Sequence, residues 1–239
     1  MYKNYIFDLY GTLVDIHTDE EKSYLWKKMC GLFFCHGVSY QPAELKKAFH
    51  NVISAMEEKE ENPYYEIEME AVFTELAARK QVTIDAGTAR ELCYFFRIIS
   101  REHLKLYPKV TTLLKTLKNH NINIYLLSNA QSSFTRPELG MLGLTPYFDD
   151  ILISSEEHIK KPDVDFMNLL IEKHHLKKEE SIMIGNDCST DIRIANDYGM
   201  HSVYIHSNIS PALPETIPAT YTILDNDIMK IWTLTNHTD

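Results

Sequence analysis

With 239 residues, 44% of them hydrophobic and 24% charged, the chain is long enough for one large or two small soluble domains with ample core. A formal net charge of −10 argues against nucleic acid or an anionic membrane as the main partner. No apolar segment approaches the roughly 20 residues needed to cross a bilayer. Asp8 and Asp15 interrupt any secretory-leader pattern, so a cytoplasmic location is expected. Cys30, Cys35, Cys93 and Cys188 lack Cys-x-x-Cys and zinc-finger spacing and are expected as buried or partly buried free thiols. The adjacent pair His174-His175 is expected at the surface, because neighbouring rings cannot readily share a metal on one helix face.

The apolar run Tyr5-Ile6-Phe7 ends abruptly in Asp8 and is followed by the tight turn at Gly11-Thr12. The end of a buried parallel strand has this pattern, and in open α/β sheets chemistry sits just beyond the carboxyl ends of strands. From about His17 to Tyr107 the apolar spacing is helical, with no strand expected. Leu25, Met29, Leu32 and Phe33 share one helix face, and Leu45, Phe49, Val52, Ile53 and Met56 share another, begun by Gln41-Pro42. The charged run Glu57 to Glu61 reads as a solvated helix end stopped at Asn62-Pro63. Further helices fit Ile67 to Lys80 and Thr88 to Leu106.

Past Pro108 the pattern alternates between helix and strand. Strands are expected at Ile122 to Leu127, Ile151 to Ile153, Ser181 to Ile184 and His201 to Ile205, with a final edge strand at Tyr221 to Leu224 and a closing helix at Asp227 to Leu234. Alternation of this kind implies an α/β fold with a doubly wound parallel sheet and right-handed crossovers. The expected division is a core of residues 1–15 and 105–239, with an all-helical cap, residues 16–104, inserted between. A cap above the carboxyl edge of a sheet commonly gates a small-molecule site.

Ser128, Lys161, Asp187 and Asp191 follow successive predicted strands and, in a parallel sheet, converge with Asp8 on one edge. Taken singly, each has an ordinary reading as a turn, surface or capping residue. Together, carboxylates, a hydroxyl and a lysine make a site for a phosphate and a divalent cation. Hard oxygen ligands suit Mg2+, and the lysine offsets charge on the nucleophile and phosphoryl group.

The stretch Phe7-Asp8-Leu9-Tyr10-Gly11-Thr12-Leu13-Val14-Asp15, with Leu127-Ser128-Asn129, Lys161-Pro162-Asp163 and Gly185 to Asp191, resembles the four motifs of the haloacid dehalogenase superfamily of hydrolases. Tyr147-Phe148-Asp149 and Ala195 to Met200 are also similar to common family sequence, and the helical insertion is similar in position to the family's cap. The resemblance implies a Rossmann-like core, a cofactor of Mg2+ and a small phosphorylated or halogenated substrate, in a monomer or homodimer. By it Asp8 is the nucleophile, forming an aspartyl intermediate that water hydrolyses. Ser128 holds phosphoryl oxygens and Lys161 orients Asp8 and substrate, with Thr12 and Asn129 as further substrate-binding candidates. Asp187 ligates magnesium with Asp8 and the backbone carbonyl of Tyr10, and Asp191 supports the site from behind or shares in ligation.

Two positions depart from the family pattern. Tyr10 stands where phosphatases of the family usually carry a second Asp as general acid/base, and a tyrosine there is similar to the 2-haloacid dehalogenase branch. Asn186 stands where an Asp often follows Gly, with Asp187 one step on as its replacement. The expected function is therefore a Mg-dependent phosphatase of a small phosphorylated metabolite. The alternatives are hydrolysis of a carbon–halogen bond, with Arg97, Arg101 or Arg136 binding the substrate carboxylate, and a weakly active or non-catalytic relative that binds a phospho-ligand.

Overall fold

A computed structural model describes residues 2–236. Strand β1 (Asn4–Phe7) runs into the Asp8 turn, and a second strand, β2 (Val14–Thr18), follows it at once. Four helices come next: α1 (Ser23–Cys35), α2 (Pro42–Glu57), α3 (Met69–Ala78) and α4 (Ala86–Ser100). Pro42 opens α2 inside a capping box of Gln41 and Glu44, and the Asp85 side chain caps α4 by accepting from the Thr88 amide at 2.7 Å. After β3 (Arg101–Leu106) come α5 (Val110–Asn119), β4 (Asn123–Ser128) and α6 (Ser132–Met141). The chain continues through β5 (Asp150–Ile153), α7 (Ser154–Glu157), α8 (Val164–His174) and β6 (Ser181–Gly185). A π-helical turn (Cys188–Ile192) leads into α9 (Arg193–Tyr198), and β7 (His201–Ile205), β8 (Tyr221–Ile223) and α10 (Met229–Thr235) close the described chain.

Six strands form one sheet in the order β5-β4-β1-β6-β7-β8, and every ladder in it is parallel. The chain leaves β1 for β4 on one side and later returns to β6 on the other, so the crevice at the carboxyl end of β1 is the topological switch point. Alternation along β1 fills both faces. Tyr5 and Phe7 pack with Leu113, Leu117 and Ile231 on one side, while Ile6 joins Phe166, Leu170 and Ile194 on the other. The helices between residues 23 and 100 enclose a separate core built on Trp26, Phe33, Phe49, Phe73 and Phe96. Phe33 and Phe96 are buried in it, whereas Phe34 and Phe95 face solvent. No helix among the described residues is long and apolar enough to cross a membrane.

The structure corrects the reading of residues 14–18 and 101–106. A single helix was expected to reach Leu106, but α4 stops at Ser100 and the next six residues form β3, paired antiparallel with β2. Charged residues fill Arg101 to Lys105, so only Leu104 and Leu106, two apart, pack on the sheet core. That spacing is the period of a strand, but two positions are too few to stand out against the helical run before them. Cys35 is exposed rather than buried, and all four cysteines are free thiols. His174 is half-buried, its ring 2.7 Å from an Asp150 carboxylate oxygen.

The β2–β3 ribbon carries the chain into and out of the helical block, and Asp15 fastens it. Its carboxylate lies 3.1 Å from His103 Nε2 and 3.2 Å from Lys105 Nζ, and accepts from Asn208 Nδ2 at 3.0 Å. Burial alone would raise the Asp15 carboxyl, but Asn208, His103 and Lys105 outweigh it and hold it down at about 2. A depressed folded-state value means stability that is present above the ordinary value of 3.8 and lost as pH falls through about 2. Asp15→Asn is expected to lower the thermal midpoint at pH 5, and the gap to wild type to close between pH 4 and 2. Melting curves followed by circular dichroism across that window check this, and a gap independent of pH refutes it.

Candidate active site

Asp8 is the first residue past β1 and is only 7% exposed. Behind it the chain folds back on itself, with the amides of Leu13 and Val14 donating to the Leu9 carbonyl at 2.8 and 2.9 Å and Gly11 N donating to Val14 O at 2.8 Å. Gly11 has φ +89°, and a Cβ there would lie 2.3 Å from the Asn186 side chain. Both the backbone angle and the close approach require glycine. The turn returns Thr12 beneath the carboxylate, where its Oγ1 lies 3.0 Å from Asp8 Oδ2 and 3.3 Å from Asn186 Oδ1.

The other Asp8 oxygen accepts from Lys161. This ammonium is fully buried and donates to Asp8 Oδ1 at 2.9 Å, Asp191 Oδ1 at 2.7 Å and the Leu127 carbonyl at 2.8 Å. Burial by itself would lower the lysine pKa, but Asp191 and Asp8 override it and hold the group above its ordinary value. Burial pushes Asp191 the other way, up to about 7, against the pull of Lys161. Both directions follow from one cation serving two buried carboxylates. Asn129 brackets the lysine backbone, its carboxamide accepting from Lys161 N at 2.8 Å and donating to Lys161 O at 2.9 Å. That amide is committed to positioning Lys161, although Asn129 also lines the cleft. Ser128 ends β4 fully buried, and among the described residues its hydroxyl has no hydrogen-bond partner.

The third component follows β6. Asp191 Oδ2 accepts from the amides of Asn186 and Asp187, both at 3.0 Å, so its two oxygens serve the lysine and the loop. A Cβ at Gly185 would lie 2.2 Å from that carboxylate, which is why glycine ends the strand. Asp187 Oδ1 accepts from Ser189 N and Oγ at 2.7 Å each, capping the π-helical turn and leaving the second oxygen clear of those contacts. Asp8, Tyr10, Asn129, Lys161, Asn186, Asp187, Thr190 and Asp191 line one cleft of about 240 Å³.

Among the described residues no group of three or more His, Cys, Asp or Glu side chains is arranged to hold a metal. The donors that face the cleft are of another kind: the Asp8 and Asp187 carboxylates, the Asn186 amide oxygen and the main chain at Tyr10. Among the described residues no backbone amide of the turn donates to the Tyr10 carbonyl. Magnesium is commonly held by one or two carboxylates and otherwise by water and substrate oxygens, so this hard-oxygen set fits it. Asp191, expected to support or to ligate, is engaged in support.

Tyr10, expected among the catalytic residues, is corrected in one respect. Its hydroxyl does not serve the cleft but donates to Glu138 Oε2 at 2.5 Å, with Thr135 Oγ1 at 3.2 Å. Burial first, then the charge of Glu138, drives the phenol well above the usual tyrosine range, so it stays protonated near neutrality. Arg97 and Arg101 also bind Glu138, at 2.8 and 3.0 Å, while Arg136 pairs with Glu156. Glu138 escaped the sequence reading, and Asn186 was noted there as a departure from the motif but not as a site residue. A glutamate in a helix with Pro137 before it carries no signal, whereas Asn186 stood in view at a motif position.

A family model described as haloacid dehalogenase-like hydrolase matches residues 2–199. The chain is 31% identical over 131 residues to a phosphoserine phosphatase of Thermus thermophilus, covering 54% of this chain and 52% of that protein. It spans about half the length of the curated relatives it matches. Among solved structures it is similar to a 2-haloacid dehalogenase from Pseudomonas syringae pv. Tomato, with a TM-score of 0.68 and 17% identity, covering 98% of this chain and 99% of that one. It is also similar to a phosphatase from Thermococcus onnurineus, with a TM-score of 0.63 and 19% identity over 98% of each chain. At these identities the structural neighbours establish the fold alone.

Removing the cation from the buried triad leaves two facing carboxylates uncompensated. Lys161→Met is expected to cost about 3–5 kcal/mol in chemical denaturation. The deficit is expected to be larger at pH 8 than at pH 6, because without the lowering pull of Lys161 the variant's Asp191 holds its proton to higher pH and goes on losing stability where wild-type Asp191 is already ionised, and Lys161→Met/Asp191→Leu should recover part of it. Equal stability of wild type and Lys161→Met would show that the ammonium is not a buried counter-ion.

Proposed function

The chain belongs to the haloacid dehalogenase-like hydrolases, and from that premise we propose that it is a magnesium-dependent phosphatase acting on a small phosphorylated metabolite. The observation that carries the reading is Asp8 at the switch point of the sheet, gripped by Lys161 on one oxygen and by Thr12 on the other. In this reading the helices between residues 16 and 104 cap a core of 1–15 and 105–239, with β2 and β3 straddling both boundaries.

Asp8 attacks phosphorus, the bond to the leaving oxygen breaks, and an aspartyl phosphate forms. Water then attacks that phosphorus, and Asp8 and inorganic phosphate are released. Lys161 keeps Asp8 ionised and aimed and offsets charge on the phosphoryl group, while the unpartnered Ser128 hydroxyl donates to a phosphoryl oxygen. Asp8, the Tyr10 carbonyl and Asp187 would hold magnesium, with the Asn186 oxygen beside them. Such an ion, when bound, neutralises charge on the phosphoryl oxygens.

Nothing at position 10 protonates the leaving oxygen, because the Tyr10 hydroxyl is given to Glu138. Loss of a general acid forfeits about 10² to 10⁴ in rate for leaving groups that need a proton. The favoured substrates are those whose oxygen departs as a stable anion, such as acyl and aryl phosphates. The dehalogenase alternative needs a cation for the substrate carboxylate, and Arg97, Arg101 and Arg136 are each held by a glutamate.

Phosphate release from a panel of acyl, aryl and alkyl phosphates, with and without magnesium, tests this reading. Turnover is expected only with the metal, to favour acyl and aryl over alkyl esters by about 10² or more, and to vanish in Asp8→Asn. Fastest hydrolysis of simple alkyl esters, or halide release from 2-chloropropionate without metal, would sink it.

A further inference from the structure

Glu138 lies on α6, 2% exposed, and no step of the proposed chemistry uses it. Its Oε2 accepts from the Tyr10 hydroxyl at 2.5 Å and from Arg97 Nη2 at 3.1 Å, and its Oε1 accepts from Arg97 Nε at 2.8 Å and Arg101 Nη1 at 3.0 Å. The Arg97 guanidinium also lies over the Tyr10 ring, 5.3 Å from its centroid, and 5.2 Å from that of Phe134. Tyr10 is thus held on one ring face and at its tip. Three segments meet at this carboxylate: the turn after β1, helix α6 behind the Ser128 loop, and the exit of the helical block at α4 and β3.

A buried carboxylate with two arginines is poor evidence of stabilisation, since an apolar cluster of the same volume often does as well. What such a cluster supplies is geometry. The turn from Leu9 to Val14 is held at its far end by Tyr107 N, which donates to Leu13 O at 3.0 Å, and by the pairing of Val14 with Leu106, and side chains support it on two sides. Thr12 and Gly11 meet Asn186 on one side, and Tyr10 meets Glu138 on the other. Remove the second, and the Tyr10 side chain loses its polar anchor, while Gly11 N keeps its bond to Val14 O and Asp8 keeps Lys161.

We infer that Glu138 is a positioning residue of the active site: through the Tyr10 hydroxyl it fixes the turn that carries Asp8, and through Arg97 and Arg101 it ties that turn to the helical block. The inference rests on the phosphatase reading for its kinetic consequence, but not for its structural one. Tyr10 then acts as an anchor whose hydroxyl never exchanges a proton with substrate.

Tyr10→Phe is the decisive variant, because it removes one hydroxyl and leaves both arginines on Glu138. Glu138→Gln and the double variant complete a cycle. Hydrogen exchange in the metal-free protein is expected to quicken about tenfold at Leu9 to Val14 in each single variant, the scale of one hydrogen bond to a charged group, with β4 and β6 unchanged. With a series of aryl phosphates, kcat is expected to fall about tenfold or more with KM within about threefold. The fall should be the same for every leaving group, and the double variant should lose little beyond the worse single. Unchanged exchange and kcat in Tyr10→Phe overturns the inference, and so does a loss that grows with leaving-group pKa, which would make Tyr10 the acid. Quickened exchange in a protein that hydrolyses no aryl phosphate, wild type included, supports the positioning role while removing the phosphatase reading.

Discussion

The fold turns on the buried ammonium of Lys161. A lysine has three N–H donors, and here each meets an oxygen: Asp8, Asp191 and the Leu127 carbonyl, all within 2.9 Å. Burying the charge would cost several kcal/mol if any of these were missing. Satisfying it requires the carboxyl ends of β1, β4 and β6 to lie side by side, which is the strand order seen around β1. Gly185 follows from the same demand, because Asp191 must come within van der Waals reach of the strand end.

The charge arrangement also explains the division of labour among the acids. One cation between two carboxylates leaves a net charge of about −1 in a dry place, and burial works against the carboxylate with less access to water. Asp191 is that one, so it settles into holding Lys161 and the loop amides. Asp8 keeps a face toward the cleft, and Asp187, beyond the triad, offers its second oxygen there. Asp187 caps the π-helical turn from just outside it, and Asp191, four positions on, lies within it.

What was legible in the sequence is what a parallel sheet makes periodic. Asp8, Ser128, Asp187 and Asp191 each follow an apolar run, and parallel pairing carries those ends to one edge, where Lys161, eight residues past β5, joins them. The β2–β3 ribbon was not legible, because its apolar alternation, Val14 with Ile16 and Leu104 with Leu106, is only two positions long on each strand, and Asp15, His103 and Lys105 answer each other across strands. Glu138 was hidden for a related reason. A helical glutamate is ordinarily solvated, and only the approach of Arg97 and Arg101, 41 and 37 residues away in sequence, makes it a buried junction. Tyr10 shows both limits at once: its departure from the motif was visible, but the partner of its hydroxyl was not.

The helical block bears on the site through more than Glu138. The segment between α2 and α3 meets the loop that carries Lys161 on both sides of it. Lys160 N donates to Tyr64 O at 2.9 Å, and Asn62 Nδ2 donates to Asp163 Oδ2 at 2.9 Å. Gln131, two residues after Asn129, accepts from Met69 N at 2.8 Å and donates to Ile67 O at 2.7 Å. The block therefore grips the loops that bear Asp8, Ser128 and Lys161 at separate points, by hydrogen bonds and, at α6, by Phe134, which packs into the apolar core of the block with its ring 6.4 Å from that of Phe96. The cleft of about 240 Å³ is lined by residues of the turns and loops that follow the sheet strands, so the block bears on it through the loops that it grips.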